Sequence, residues 1–371
     1  MNDAVARSLL DSTLAYLHAL VAFDTRNPPR AITKDGIFDY LRGQLPGFDS
    51  SVTDHGAGAV SLYAVRGKPR VLFNVHLDTV PAAPTWARDP FDLRVADGRA
   101  TGLGACDIKG AAAALLTAAA HTRGDAAFLF TSDEEANDAR CIAAFLARRI
   151  PFDAVIVAEP TRGEAVLAHR GIHSVQMRFA GKAGHASGNN ALGDSALHRA
   201  VRWGQRALDT VEAQAHARFG GLTGLRFNIG RIEGGIKANV IAPSAEVRFG
   251  FRPLPSMQAD ALLAAFRACA DPPAEEFVET FRGSALPAGN VATAEARRLA
   301  ARDCADRFGL PVGNAVDFWT EAALFSAAGY TAFVYGPGDI AQAHSVDEFV
   351  ELSQLQQVTG RYVEIIDHGH G

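Results

Sequence analysis

Four short apolar runs along the chain end abruptly, three in polar residues and the fourth in Gly-Pro-Gly. They are 71–78 (VLFNVHLD), 126–134 (AAFLFTSDE), 152–160 (FDAVIVAEP) and 331–338 (TAFVYGPG). Apolar runs of this length without alternation read as strands buried on both faces. Helical stretches separate them, among them the Ala-rich segment 110–121. Residues 1–23 carry Asp3, Arg7 and Asp11 among apolar positions. That predicts an amphipathic helix, not the basic-then-apolar order of a signal peptide. The alternation of strands and helices predicts an α/β domain: a mixed, mostly parallel sheet flanked by helices.

From 172 to 282 the rhythm changes. Residues 175–179 alternate as a strand, 194–215 read as a helix, 225–232 and 245–252 alternate again, and 257–269 are helical. The order β-α-β-β-α predicts a small α+β, ferredoxin-like unit with one antiparallel sheet and two helices. The first pattern resumes after it, so this unit is inserted. The expected division is 1–171 with 283–371 as one domain and 172–282 as the other. A chain of 371 residues has room for about two domains.

Composition narrows the function. With 48% hydrophobic and 21% charged residues the chain is an ordinary globular protein. A net charge of −5 gives no footprint for nucleic acid and no polybasic patch for an anionic membrane. No apolar run reaches the length of about 18 residues that a membrane span needs. The four cysteines, Cys106, Cys141, Cys269 and Cys304, are far apart and form no C-x-x-C pair. They imply no disulfide framework and suit a reducing cytoplasm.

The candidate chemistry sits where the apolar runs stop. His76 and Asp78 close the first run, Glu134 and Glu135 the second, and Glu159 the third; His344 follows the fourth within a short loop. Asp107 comes from the Gly-rich loop 102–110, just before a helix. In open α/β sheets ligands bind beyond the carboxyl ends of the strands. Several strand ends therefore deliver His, Asp and Glu to one edge, as a metal site requires. Mixed nitrogen and oxygen donors suit Zn²⁺ or Co²⁺. Two other motifs are decoys. Gly193-Asp-Ser opens a helix, with Asp194 or Ser195 as its N-cap. In the Gly102-x-Gly104 loop, Asp107 stands where a dinucleotide fingerprint needs its third glycine.

The joint pattern resembles the M20 family of metallopeptidases and deacylases. The pieces that carry it are 74–81 (NVHLDTVP), 102–110 (GLGACDIKG), 131–135 (TSDEE), 158–161 (AEPT), 184–187 (GHAS), 234–239 (GGIKAN) and 336–339 (GPGD) with His344. They run in family order from 24–29 (DTRNPP) to Glu348. Cys106 beside Asp107, the run 159–161 and the tripeptide 320–322 (TEA) are similar to the acetylornithine and acetylcitrulline deacetylase branch of arginine biosynthesis.

The resemblance implies roles. His76, Asp107 and Glu159 would hold one metal. Asp107, Glu135 and His344 would hold a second, with Asp107 bridging. Up to two ions per chain would bring +4 against three carboxylates. Asp78 would orient His76 through its free ring N–H. Glu134 would be the general base. His185 would stabilise the oxyanion, reaching the site from the partner subunit of a homodimer, so the inserted domain would serve as lid and dimerisation domain. Arg252 and Asn239 would hold the substrate carboxylate, Arg as a bidentate fork. Glu321 would read a side chain several atoms long. The substrate implied is a small N-acetyl-L-amino acid, N-acetyl-L-citrulline or N-acetyl-L-ornithine. A succinyl-diaminopimelate desuccinylase and a dipeptidase are the alternatives within the family. An inactive metal-binding scaffold should have lost Glu134 or a ligand, and none is missing. The family also implies a cis Asp107–Ile108 peptide bond.

Overall fold

A computed structural model describes residues 3–368 of the chain. The first two positions of the expected N-terminal helix and residues 369–371 of the expected first domain lie outside the described residues. The chain divides into two compact units. One comprises the chain as far as Leu167, Arg297–Gly313, and everything from Thr320 on; the other comprises Ala168–Ala296 and Asn314–Trp319.

The first unit is built on a six-stranded sheet. In spatial order its strands are Asp49–Asp54, Val60–Arg66, Ala126–Thr131, Val71–His76, Ala154–Val157 and Ala332–Val334. The first two junctions are antiparallel and the other three are parallel. The strands Val71–His76, Ala126–Thr131 and Ala154–Val157 are buried at every position. That is the physical reason for their unbroken apolar runs. The antiparallel edge strand Asp49–Asp54 (DSSVTD) has no such run and is largely solvated. The helix Lys109–His121 is buried from Lys109 to Ala119. A helix enclosed on all sides must be apolar all round, and here alanine lets its neighbours come close. Those neighbours include the helices Asp3–Val21 and Leu352–His368. The aromatic pair Phe73 and Tyr362, edge to face at 5.2 Å, ties the last helix to the sheet.

The second unit is a four-stranded antiparallel sheet in the spatial order Arg226–Gly234, Ser244–Arg252, Ile172–Ala180, Glu276–Gly283. The helices Ala196–Glu212 and Ala259–Ala268 cover one face. Val175, Met177, Phe179, Val247, Phe249 and Phe251 alternate into that core, against Trp203 and Phe266. The last strand completes a β-α-β-β-α-β order. Sequence alternation misses it because Val278 is exposed while Glu279 takes the half-buried place between Phe277 and Phe281.

The unit boundaries fall at 167/168 and 296/297, not at the expected 171/172 and 282/283. The cause is pairing between distant segments. His169 and Leu286 exchange main-chain hydrogen bonds at 2.9 and 3.1 Å. Trp319 donates to the Ser284 carbonyl at 3.0 Å and stands edge-on to His169 and Phe281. Ala294 packs with Phe219, Leu222 and Leu254. All four cysteines are buried and free. No described helix is long and apolar enough to cross a membrane.

Candidate metal centre

The parallel strands of the first unit bring their carboxyl ends to one edge, and the candidate ligands follow from that register. His76 is the last residue of its strand and lies opposite Thr131, the last of the next. Glu134 and Glu135 come three and four residues after Thr131, and Glu159 two residues beyond Val157. His344 follows the short helix Ile340–Gln342. Its backbone is left-handed, with φ at 57°, a region histidine enters only occasionally.

Two groups of donors result. His76, Asp107 and Glu159 form one, and Asp107, Glu135 and His344 the other. Within each, one donor atom per residue lies within 4.8 Å of the rest. Asp107 belongs to both. Its Oδ1 is 3.1 Å from His76 Nε2, and its Oδ2 is 3.5 Å from His344 Nε2. Glu159 Oε1 stands 3.7 Å from His76 Nε2, and Glu135 Oε1 2.9 Å from His344 Nε2. All five expected ligands are thus brought together.

Supporting contacts fix these side chains. His76 Nδ1 lies 3.0 Å from the Asp78 main-chain carbonyl, which leaves Nε2 facing the centre. The Asp78 carboxylate is farther from that ring nitrogen, at 3.5 Å. Orientation of His76 therefore comes chiefly from the backbone of residue 78. The Asp78 carboxylate instead accepts from Asn27 Nδ2 at 2.8 Å and from the Glu135 N–H at 3.0 Å. The Asp107–Ile108 peptide bond is cis, as expected. Gly104 in the same loop has φ at +78°, and a Cβ there would meet Thr79 Cγ2 at 2.7 Å. Only glycine fits.

The electrostatics call for cations. Burial pushes the Glu159 carboxyl up to about 7 and raises Glu135, while Glu134 goes well above the carboxylate range for the same reason. Burial alone would hold the His76 imidazole down, but the Glu159, Asp107 and Asp78 carboxylates around it lift it well above its usual value. The hydrogen bond to Glu135 lifts His344 to about 9. Carboxylates crowded this closely hold protons unless positive charge takes their place. Two divalent ions would bring +4 against the three ligand carboxylates. The nitrogen and oxygen donors suit such ions. Cys106 beside Asp107 is no competing soft donor, since it is buried against the Asp339 carbonyl and burial pushes its thiol up.

Glu134 is partly buried and belongs to neither donor group. Its carboxyl feels His76, Glu159, Glu135 and Glu321, so it faces the same centre. Glu321 lies close to the centre and is buried as deeply as His76. It is only 2% exposed, it accepts from Thr131 Oγ1 at 3.3 Å, and burial holds its carboxyl well above the usual range. The tripeptide 320–322 carries its acidic residue inward because the helix Ala322–Ala327 packs that end into the core.

His185, Asn239 and Arg252 belong to the second unit. His185 is exposed, with Nδ1 2.7 Å from Ser187 Oγ. A bridge to Val240 sets it beside exposed Asn239, whose carbonyl accepts from the Ala186 N–H at 3.1 Å. Arg252 ends its strand half-buried, 3.4 Å from the Asp317 carbonyl. With Arg226, Arg248 and Asn228 it lines a cavity of about 610 Å³ on the face of the sheet away from the helices.

Sequence reasoning placed Asn27 and Glu348 within the family match but assigned neither a role. Asn27 is buried beneath Asp78. Glu348 is a buried carboxylate that accepts main-chain N–H groups of the Asp107 loop. A single Asn or Glu has no periodic signature; only its partners reveal it.

Known proteins share this arrangement of sequence and fold. The profile described as Peptidase family M20/M25/M40 matches residues 72–368. The N-acetyl-L-citrulline deacetylase of Xanthomonas campestris pv. campestris is 71% identical over 360 residues, 97% of either chain. The acetylornithine deacetylase of Shigella sonnei is 29% identical over 324 residues, 82% of this chain and 81% of its own. Among solved structures, a tripeptidase of Staphylococcus aureus superposes with a TM-score of 0.73 at 18% identity, covering 96% of this chain and 97% of its own. At that identity the likeness concerns the fold alone.

Proposed function

We propose that this chain, which belongs to peptidase family M20/M25/M40, is a metal-dependent amidohydrolase that deacetylates N-acetyl-L-citrulline. The observation that carries this reading is 71% identity, along 97% of both chains, to a protein named for that reaction. The match to an acetylornithine deacetylase is 29%, so the citrulline compound comes first and the ornithine compound second.

His76, Asp107 and Glu159 would hold one ion, and Asp107, Glu135 and His344 the other, with Zn²⁺ or Co²⁺ as the suitable metals. When bound, the ions supply Lewis acidity, which polarises a carbonyl and acidifies a water. Glu134 would take a proton from the attacking water, whose oxygen adds to the acyl carbon. The carbon–nitrogen bond breaks, and Glu134 returns the proton to the leaving amine. The products are acetate and the free amino acid. Arg252 would offer a planar fork to the two oxygens of the substrate carboxylate, and Asn239, at the far end of the same strands beside His185, would reach it together with His185 from the partner subunit. The four buried thiols suit a reducing cytoplasm.

Steady-state kinetics on a small panel tests the reading: N-acetyl-L-citrulline, N-acetyl-L-ornithine, an N-succinyl amino acid and a dipeptide. The expected order of kcat/KM places N-acetyl-L-citrulline first. Turnover of the succinyl compound or the dipeptide, with neither acetyl compound hydrolysed, would overturn the substrate assignment and leave the metal chemistry in place.

The same reading makes the protein a homodimer joined through the inserted unit, with His185 supplied by the partner to steady the oxyanion. The edge strand Arg226–Gly234 supports this. Its outer side faces no other strand of its sheet, and such an edge is a ready template for a second copy. Ile232 and Ile236 near its end are 42% and 73% exposed. Light scattering should give twice the chain mass of 39.3 kDa. Mixing Glu134→Gln and His185→Ala chains should restore activity that neither has alone. An active monomer would rule out the shared site.

A further inference from the structure

Glu348 belongs to neither donor group, yet it is among the most constrained carboxylates near them. It is 2% exposed. Its Oε1 accepts from the Cys106 and Asp107 N–H groups, both at 2.8 Å, and its Oε2 from the Gly104 N–H at 3.0 Å. Its own carbonyl accepts from the Gly102 N–H at 3.0 Å. Four hydrogen bonds thus join one residue to the loop that carries Asp107. Burying a carboxylate is unfavourable unless its oxygens are satisfied, and charge-assisted bonds to amides do that here.

The connection runs in both directions along the chain. Glu348 follows His344 by four residues. It immediately precedes the strand Phe349–Glu351, which pairs with Arg99–Thr101, the strand that leads into the Asp107 loop. The loops carrying Asp107 and His344 are therefore pinned together at one side chain. Asp107 is shared by both donor groups, and His344 completes one of them. A shift of this junction would move donors of both.

We propose that Glu348 is a positioning residue for both metal groups, acting through the amides of Gly104, Cys106 and Asp107 to aim the Asp107 carboxylate. The inference rests on the metallohydrolase reading above. Glu348 is no ligand, and it touches no reacting atom.

The test uses the full chain loaded with Co²⁺ alone. Glu348→Ala leaves three buried N–H groups without acceptors. Glu348→Gln keeps one oxygen for Cys106 and Asp107 but turns an amide NH₂ against Gly104. Competition with a chelator should show Co²⁺ affinity lowered about 10–100-fold in Glu348→Ala, the scale for residues that support ligands, and by less in Glu348→Gln. The visible spectrum of bound Co²⁺ should change in both variants, and kcat should fall with KM unchanged. A folded Glu348→Gln protein with wild-type Co²⁺ affinity and spectrum would overturn the proposal, and it decides the matter if Glu348→Ala does not fold. Failure of the wild-type chain to bind Co²⁺ would instead overturn the metallohydrolase reading itself.

Discussion

Glu134→Gln should leave the metal content unchanged and lower kcat by about 10²–10⁴-fold, the loss typical of a missing general base. The substitution preserves size and shape and removes only the ability to carry a proton. Glu134 lies outside both donor groups, so no ligand is lost. Burial and the neighbouring carboxylates push its carboxyl up in the metal-free chain. Cations beside it would lower that value, leaving an ionised base whose affinity for a proton is still strengthened by burial. KM should change little, because the proton transfer contributes to the transition state and not to binding of the ground state. Metal analysis beside single-turnover kinetics checks the claim. Loss of an ion in this variant would make Glu134 a ligand and reverse the roles of the Glu134–Glu135 pair.

That pair shows how much of the centre could be read from the chain. The ligands were legible because each strand that delivers one is buried on both faces, so its polar end stands out against an apolar run. His76 after VLFNV and Glu159 after AVIVA are examples. Where a strand is half-solvated the signal fails. Asp49–Asp54 has no apolar run, and in Glu276–Gly283 the exposed Val278 and the half-buried Glu279 hide an alternation that the burial itself keeps. The burial of Glu321 was equally unreadable, since nothing in the sequence says that its carboxyl turns inward. The role of Glu348 could not be read for another reason. Its partners are main-chain amides more than 240 residues earlier, and amides are the same at every position. The unit boundaries escaped likewise, because the pairing of His169 with Leu286 depends on backbone and not on residue type.

Asp107→Ala should have the broadest effect on metal content, because one side chain serves both groups. Its two oxygens face opposite ways, Oδ1 toward His76 at 3.1 Å and Oδ2 toward His344 at 3.5 Å. Without it each group keeps only one histidine and one carboxylate. The ligand charge falls from −3 to −2 against the same two dications. The other carboxylates, Glu135 and Glu159, each belong to a single group and cannot replace the shared one. The loop itself should persist, since Glu348 accepts from the main-chain N–H of residue 107 and that bond survives any side-chain change. We therefore expect a folded protein with fewer than one ion per chain in place of up to two. Losing metal ions forfeits several kcal/mol of transition-state stabilisation, so kcat should fall by at least about 10³-fold at 1.36 kcal/mol per decade. Asp107→Asn separates charge from shape: it keeps both contact positions but not the anion, and it should lose metal nearly as severely. Circular dichroism confirms folding, and elemental analysis after reconstitution counts the ions. Loss of one ion with full retention of the other would confine Asp107 to a single group, and two retained ions with full activity would remove it from the centre.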